Sequence, residues 1–391
     1  MKYNFDEIIN RENTNCLKYD LRKKYFGDEN VFPLWVADMD FASPGFIQEA
    51  IIERARHPIY GYTFPPDEFY NSITSWMQRR HGWTIKNEWI SYTPGVVPAL
   101  NLAIQAFTIP GDKVIVQPPV YFPFFSSVKD NKRELVYNQL IIKNGNYEMD
   151  FDDLERKIDG RTKLILLCHP HNPAGRVWKT EDLLRLVRIC EKNGIIIVSD
   201  EIHSDLMLHG NRHVPLAAVS DSASKISITC IAPSKTFNLA GLSSSALIIP
   251  EGKLKRAFDR EIDRLHLRMG NIFGITAMQA AYEKGDEWLG QLLAYLDGNI
   301  DLIAGFFHER IPEVKVFIPE ATYMVWLDFS GLGLSDADLR KFIISEAGLG
   351  LNDGPSFGPG GTGFQRLNFA LPREKLVHAL EILEKAVRTL S

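Results

Sequence analysis

Five features of this sequence could do chemistry together, and they occur in a set order along the chain. Thr93-Pro-Gly-Val-Val-Pro-Ala-Leu reads as a turn feeding a helix with Pro98 in its first turn. Such a start leaves backbone N–H groups at Gly95, Val96 and Val97 free to bind a phosphate. Tyr121 follows the apolar run 113–117 and the turn Pro118-Pro-Val, and offers a face for stacking on a ring or for packing in a core. Asn172 lies in His169-Pro-His-Asn-Pro-Ala-Gly175, where two prolines and a glycine stiffen the turn. Its amide can donate to a phenolate oxygen, although an Asn-Pro pair also serves as an ordinary turn. Asp200 ends the run Ile195-Ile-Ile-Val-Ser199. A carboxylate at the end of a buried strand is costly unless a cation pairs with it, while an acid in this position can also cap a helix. Lys235, in Ala232-Pro-Ser-Lys-Thr-Phe-Asn-Leu-Ala-Gly-Leu242, follows a strand-like run and sits beside Ser234. There its amine can lose a proton and attack a carbonyl. A phosphate cradle, an aromatic platform, an amide, a carboxylate and a lysine, taken together, suit a phosphorylated aromatic aldehyde.

These residues need a scaffold that brings them to one place. Short apolar runs at 113, 163, 194, 225 and 245 alternate with helical patterns, which predicts an α/β fold with a mostly parallel sheet covered by helices on both faces. Ligands of such sheets gather beyond the carboxyl ends of the strands, where all five features fall. Residues 253–284 read as helical with an interruption near Gly270, and 285–310 as a further helix. After Pro312 the pattern becomes α+β: strand-like KVFI and TYMVWLDF, a helix over 336–347 capped by Ser335 and ended by Gly348, strand QRLNFA, and a last helix opened by Pro372. The glycine-rich stretch 358–363 precedes a strand rather than a helix, so it reads as a mobile loop and not as a phosphate cradle. The expected division is an N-terminal arm with part of the small domain at 1–45, a large domain at 46–284 and a small α+β domain at 285–391.

Composition narrows the partners. The 391 residues are 45% hydrophobic and carry a net charge of −5. No run of Lys and Arg is interleaved with aromatics, which argues against nucleic acid. No apolar run approaches membrane-spanning length and the N-terminus lacks a secretory pattern, so a cytoplasmic protein acting on a small molecule is expected. Cys16, Cys168, Cys190 and Cys230 are too scattered to suggest disulfides or a metal cluster, and His169, His171 and His203 lack companion ligands at zinc spacing.

The segments TPGVVPAL, PPVYFPF, HPHNPAGRVW, VSDEIHSDL and APSKTFNLAGL together resemble the fold-type I pyridoxal 5'-phosphate (PLP) enzymes of the aminotransferase class. PLWVADMDF at 33–41 and DEIHSDL at 200–206 narrow the likeness to the cystathionine β-lyase branch, the MalY/PatB type of carbon–sulfur lyase. The resemblance runs from about residue 4 to 387. It implies the aspartate aminotransferase-like fold, with a seven-stranded sheet in the large domain. It also implies Lys235 as the lysine joined to the cofactor, Asp200 against the pyridine nitrogen, Asn172 on the ring oxygen and Tyr121 stacked on the ring. Ser234 and the backbone at Val96 and Val97 would hold the phosphate. Tyr62 would reach the phosphate of a second subunit in a homodimer, and Arg366 would grip the substrate carboxylate. His203 stands where many transaminases have a tyrosine on the ring oxygen, and Ser243 where many have a phosphate-binding arginine. Both departures favour β-elimination from cystathionine or another S-substituted cysteine. Transamination of an L-amino acid is the runner-up, and a regulatory binding protein on the same fold is a third reading.

Overall fold

Alternate residues of the run Thr162–Cys168 enter different cores: Leu164, Leu166 and Cys168 join one, Ile165 and Leu167 the other. A strand buried on both faces shows no polar alternation, which is why this run is apolar without a break from Leu164 to Cys168. In the computed structural model, which describes residues 2–390, it lies in the middle of a seven-stranded sheet. In chain order the strands are β1 (Ile90–Thr93), β2 (Lys113–Val116), β3 (Glu134–Tyr137), β4 (Thr162–Cys168), β5 (Ile196–Asp200), β6 (Ser227–Ile231) and β7 (Ser245–Ile248). They are arranged β1-β7-β6-β5-β4-β2-β3, with β7 antiparallel to both neighbours and the rest parallel.

The helices that matter below are α1 (Asp67–His81), α2 (Val96–Phe107), α3 (Thr180–Asn193), α4 (Pro233–Thr236), α5 (Gly252–Arg264), α6 (Ile272–Lys284) and α7 (Asp286–Arg310). Leu100 and Ala103 of α2 and Phe258 of α5 share a core with Leu166 and Val198; Leu183 and Leu186 of α3 share one with Ile165 and Ile197 on the opposite face. The interruption expected near Gly270 separates α5 from α6. Beyond α7 a four-stranded antiparallel sheet follows, of β8 (Lys315–Phe317), β9 (Met324–Asp328), β10 (Asn352–Asp353) and β11 (Phe364–Asn368), in the order β8-β9-β11-β10. It is accompanied by α8 (Asp336–Lys341) and α9 (Arg373–Val387). Ser335 caps α8 as expected, its hydroxyl accepting from Asp338 N, but the helix gives way to a π-helical turn over Phe342–Glu346 before Gly348.

The strand register explains why the chemistry converges. Cys168, Asp200 and Cys230 pair side by side at the carboxyl ends of β4, β5 and β6, so Asn172, Asp200 and Lys235 all emerge at one edge. Because β7 runs the other way, its first residue, Ser245, meets Thr93 at the end of β1, and the start of α2 arrives at the same edge.

The glycine-rich stretch differs from expectation. It is packed, because Gly354 and Gly361 lie back to back: a Cβ on Gly354 would stand 1.8 Å from the Gly361 carbonyl oxygen. Phe357 O accepts from Val120 N at 2.9 Å, tying this stretch to the segment that bears Tyr121. No helix among the described residues is long and apolar enough to cross a membrane, and all four cysteines are free thiols.

Candidate active site

A cavity of about 200 Å³ opens at that edge, lined by Val96, Tyr121, Asn172, Asp200, His203 and Lys235 among others. One wall is the start of α2. Gly95 is its N-cap, and the N–H groups of Val96 and Val97 have no carbonyl a turn earlier to bond, while Pro98 has no N–H to satisfy. Ser234, Ser243 and Ser244 line the cavity too.

Asp200 is 6% exposed, and its carboxylate accepts a single hydrogen bond, from Ile202 N to Oδ1 at 3.1 Å. Burial raises its pKa to about 7 against the pull of that bond and of the Lys235 charge. Lys235 is displaced in the opposite direction: burial lowers it to about 8, with Asp38 and Asp200 opposing and Arg366 assisting. Its Nζ donates to Ala37 O at 2.6 Å, and the same carbonyl accepts from the Tyr323 hydroxyl at 3.0 Å.

Ala37 belongs to PLWVADMDF, and the structure shows how that segment is held over the cavity. Arg366 Nη2 donates to Trp35 O, Asn368 Nδ2 to Val36 O and Asp38 O, and Asn238 Nδ2 to Met39 O. Arg366 and Asn368 come from β11, and Asn238 follows α4.

Arg366 is buried, and its Nη1 and Nη2 reach only neutral acceptors: Asn172 Oδ1 at 2.9 Å, Trp35 O at 2.8 Å and Asn352 Oδ1 at 2.6 Å. Its Nε has no acceptor. A buried guanidinium without an anionic partner is poised for one, and burial lowers its pKa to about 10. By accepting from Arg366 through Oδ1, Asn172 turns its Nδ2 donor free of protein partners. His203 lies edge-on to Tyr323 at 6.0 Å with its Nδ1 unbonded, and burial drives its pKa down to about 3, so its ring is neutral. Burial also raises the pKa of Tyr121, whose backbone N–H is fixed to Asn172 O at 3.1 Å.

The structure thus brings together Lys235, Asp200, Tyr121, Asn172, His203, Ser234, Val96 and Val97, with Arg366 bonded to Asn172 at the cavity's edge. Tyr62 stands apart. It is 97% exposed, in a segment that also exposes Ile59, Tyr60 and Phe64. Three contributors escaped the sequence reading: Ala37, Tyr323 and Asn368 act through a backbone carbonyl, a buried hydroxyl and an amide that carry no local signature.

The model of the class I and II aminotransferase family matches residues 30–383 of the chain. The chain is 47% identical over 386 residues to the cystathionine β-lyase PatB of Bacillus subtilis (strain 168), an alignment that spans 98% of this chain and 100% of that protein. It matches cystalysin from Treponema denticola, a structure that contains a PLP cofactor, with a TM-score of 0.97 and 36% identity over 100% of both chains. The PLP-bound C–S lyase from Staphylococcus hominis matches with a TM-score of 0.92 and 36% identity over 98% of each chain.

Proposed function

The chain belongs to the class I and II aminotransferase family, and from that premise we propose that its cavity seats PLP and that the enzyme cleaves the carbon–sulfur bond of S-substituted cysteines, cystathionine among them. The observation that carries the reading is the opposition of Asp200 and Lys235 in one cavity, a buried acid short of donors facing a buried amine that sheds its proton easily.

The residues fit that cofactor. Asp200 needs a cation, and a protonated pyridine nitrogen is one. The unbonded N–H groups at the start of α2, with Ser234, suit a phosphate. Asn172 has a free donor for a ring oxygen, and Tyr121 has a ring to lay against another.

When bound, PLP supplies an aldehyde that condenses with an amine and a ring that draws electrons from the substrate's α-carbon. The protein's own groups do the rest. With its pKa near 8, Lys235 is neutral in about a tenth of molecules at pH 7, enough to attack a carbonyl and, once displaced by the substrate amine, to take the α-proton. Asp200 supplies the negative charge that keeps the ring nitrogen protonated. Arg366 exchanges neutral acceptors for the substrate carboxylate, a planar match for its fork. The α-proton passes to Lys235, the bond from the β-carbon to sulfur breaks, and the thiolate carries away the electron pair. The remaining three-carbon fragment hydrolyses to pyruvate and ammonia.

The exposed segment around Tyr62 supports a homodimer in which Tyr62 serves the partner's phosphate. Four large apolar side chains exposed within six residues suit a self-complementary contact.

Purified protein given cystathionine should release pyruvate, ammonia and homocysteine with no keto acid added. Turnover that requires a keto acid and liberates no thiol would establish a transaminase instead.

A further inference from the structure

DEIHSDL contains three acids, and the chemistry above uses only the first. Glu201 is satisfied within its own neighbourhood, by the Ser199 hydroxyl at 2.8 Å, Leu216 N at 3.0 Å and His213 Nε2 at 2.7 Å. Asp205 is different. It is 4% exposed, and its carboxylate collects donors from distant parts of the chain: Trp76 Nε1 at 3.0 Å and His81 Nε2 at 3.1 Å on Oδ1, and the Thr236 hydroxyl at 2.9 Å on Oδ2. Trp76 and His81 belong to α1; Thr236 is the residue after Lys235.

That last bond matters because of how little else holds α4. A helix of one turn has almost no internal hydrogen bonds to fix its direction, so its orientation must come from outside. The bonds Phe237 N to Pro233 O and Leu239 N to Ser234 O only close the turn on itself. Apart from Lys235 Nζ, the Thr236 hydroxyl is, among the described residues, the one side-chain group of α4 hydrogen-bonded to another element. Burial works against the ionisation of Asp205, yet its contact with His81, the charge of Arg80 and the Thr236 hydroxyl outweigh it and hold the carboxyl below its ordinary value. An ionised carboxylate only accepts, so the hydroxyl must donate to it, and this fixes the rotamer of Thr236 and the roll of the turn.

We propose that Asp205 is a positioning residue for Lys235: through Thr236 it sets the roll of α4, and so the direction from which the lysine enters the cavity, while Trp76 and His81 fix Asp205 in turn. The inference rests on the reading of Lys235 as the cofactor lysine. Loss of the bond lets the turn swing, and the amine then spends less time where it must accept the α-proton. The penalty falls on turnover and on the attack on PLP, not on substrate affinity, because Arg366 lies on another element.

Thr236→Val and Thr236→Ser, made in the full chain and prepared both free of PLP and reconstituted with it, test this. Thr236→Val is expected to lower kcat about 10- to 100-fold, to slow PLP uptake by the cofactor-free protein comparably and to leave KM within about threefold. Thr236→Ser, which keeps the hydroxyl, should return both rates to within about threefold of the wild type. Combined with Asp205→Asn, which weakens the same bond together with those from Trp76 and His81, Thr236→Val should cost less than the sum of the two single losses. Equal impairment of the Val and Ser variants would show that the hydroxyl is not what counts and overturn the inference, as would fully additive losses or a Thr236→Val variant with normal uptake and turnover. A wild type that takes up no PLP overturns the functional reading and this inference with it. A wild type that takes it up beside a fully active Thr236→Val overturns this inference alone.

Discussion

Asp200→Asn should make the cofactor-free protein more stable while destroying its activity. The carboxyl is raised from 3.8 to about 7 by burial, so above pH 7 the folded protein carries a charge that the unfolded chain holds more cheaply in water. Three powers of ten in proton affinity, at ~1.4 kcal/mol each, amount to about 4 kcal/mol. Because the folded group binds its proton more tightly, its own contribution to stability is highest at low pH, falls as pH rises from about 4 to 7, and is flat beyond; the buried His203, lowered to about 3, adds a slope of the opposite sign over part of that range, which cancels when the two proteins are compared. Lys235, lowered to about 8, stays almost wholly protonated in both states over that window and is common to both proteins, so it adds little to the difference between them. A neutral asparagine removes the burden. At pH 8 the cofactor-free variant should therefore melt several degrees above the wild type, and at pH 5 the gain should shrink to less than half. Added PLP should reverse the order, since only the carboxylate gains a pyridinium partner. Thermal denaturation of both proteins at the two pH values, with and without PLP, measures all of this. A variant that melts no higher than the wild type at pH 8, or that gains as much at pH 5, would refute the reasoning.

Three further outcomes are expected. With PLP bound, Asp200→Asn should lose turnover by about 10²- to 10⁴-fold, the scale of breaking one buried ion pair, and steady-state kinetics will show it. Arg366→Ala should raise KM about 10- to 100-fold for an amino-acid substrate and far less for an analogue without the carboxylate. Lys235→Ala and Tyr62→Ala, each impaired alone, should recover roughly a quarter of wild-type activity when refolded together, because half the dimers are mixed and each mixed dimer has one intact pocket. A mixture no better than the average of its parents, despite mixed dimers on gel filtration, would place Tyr62 outside the neighbour's site.

Much of this was legible because buried parallel strands leave a plain mark. The runs that became β2, β4, β5, β6 and β7 are predominantly apolar, and the site residues Tyr121, Asn172, Asp200 and Lys235 lie at or just beyond the carboxyl ends of β2, β4, β5 and β6. The edge strands β1 and β3 were not singled out: Ile90–Thr93 and Glu134–Tyr137 are four residues each and mix polar with apolar side chains, so neither run stands out. The loop at 358–363 looked mobile because glycine marks flexibility and close backbone approach alike, and here the approach of Gly354 to Gly361 decides. The ties behind Lys235 could not be read at all. His81 and Asp205 lie 124 residues apart, and no spacing rule links an imidazole on one helix to an acid on a distant loop.

The account turns on Lys235 being the residue that holds PLP, and one measurement addresses that directly. The protein is loaded with PLP, reduced with borohydride, digested and mapped by mass spectrometry. The expected result is one pyridoxyl-phosphate adduct per chain, on the peptide containing Lys235, and none in Lys235→Ala. An adduct at a different lysine, or a wild type that takes up no PLP, would contradict it.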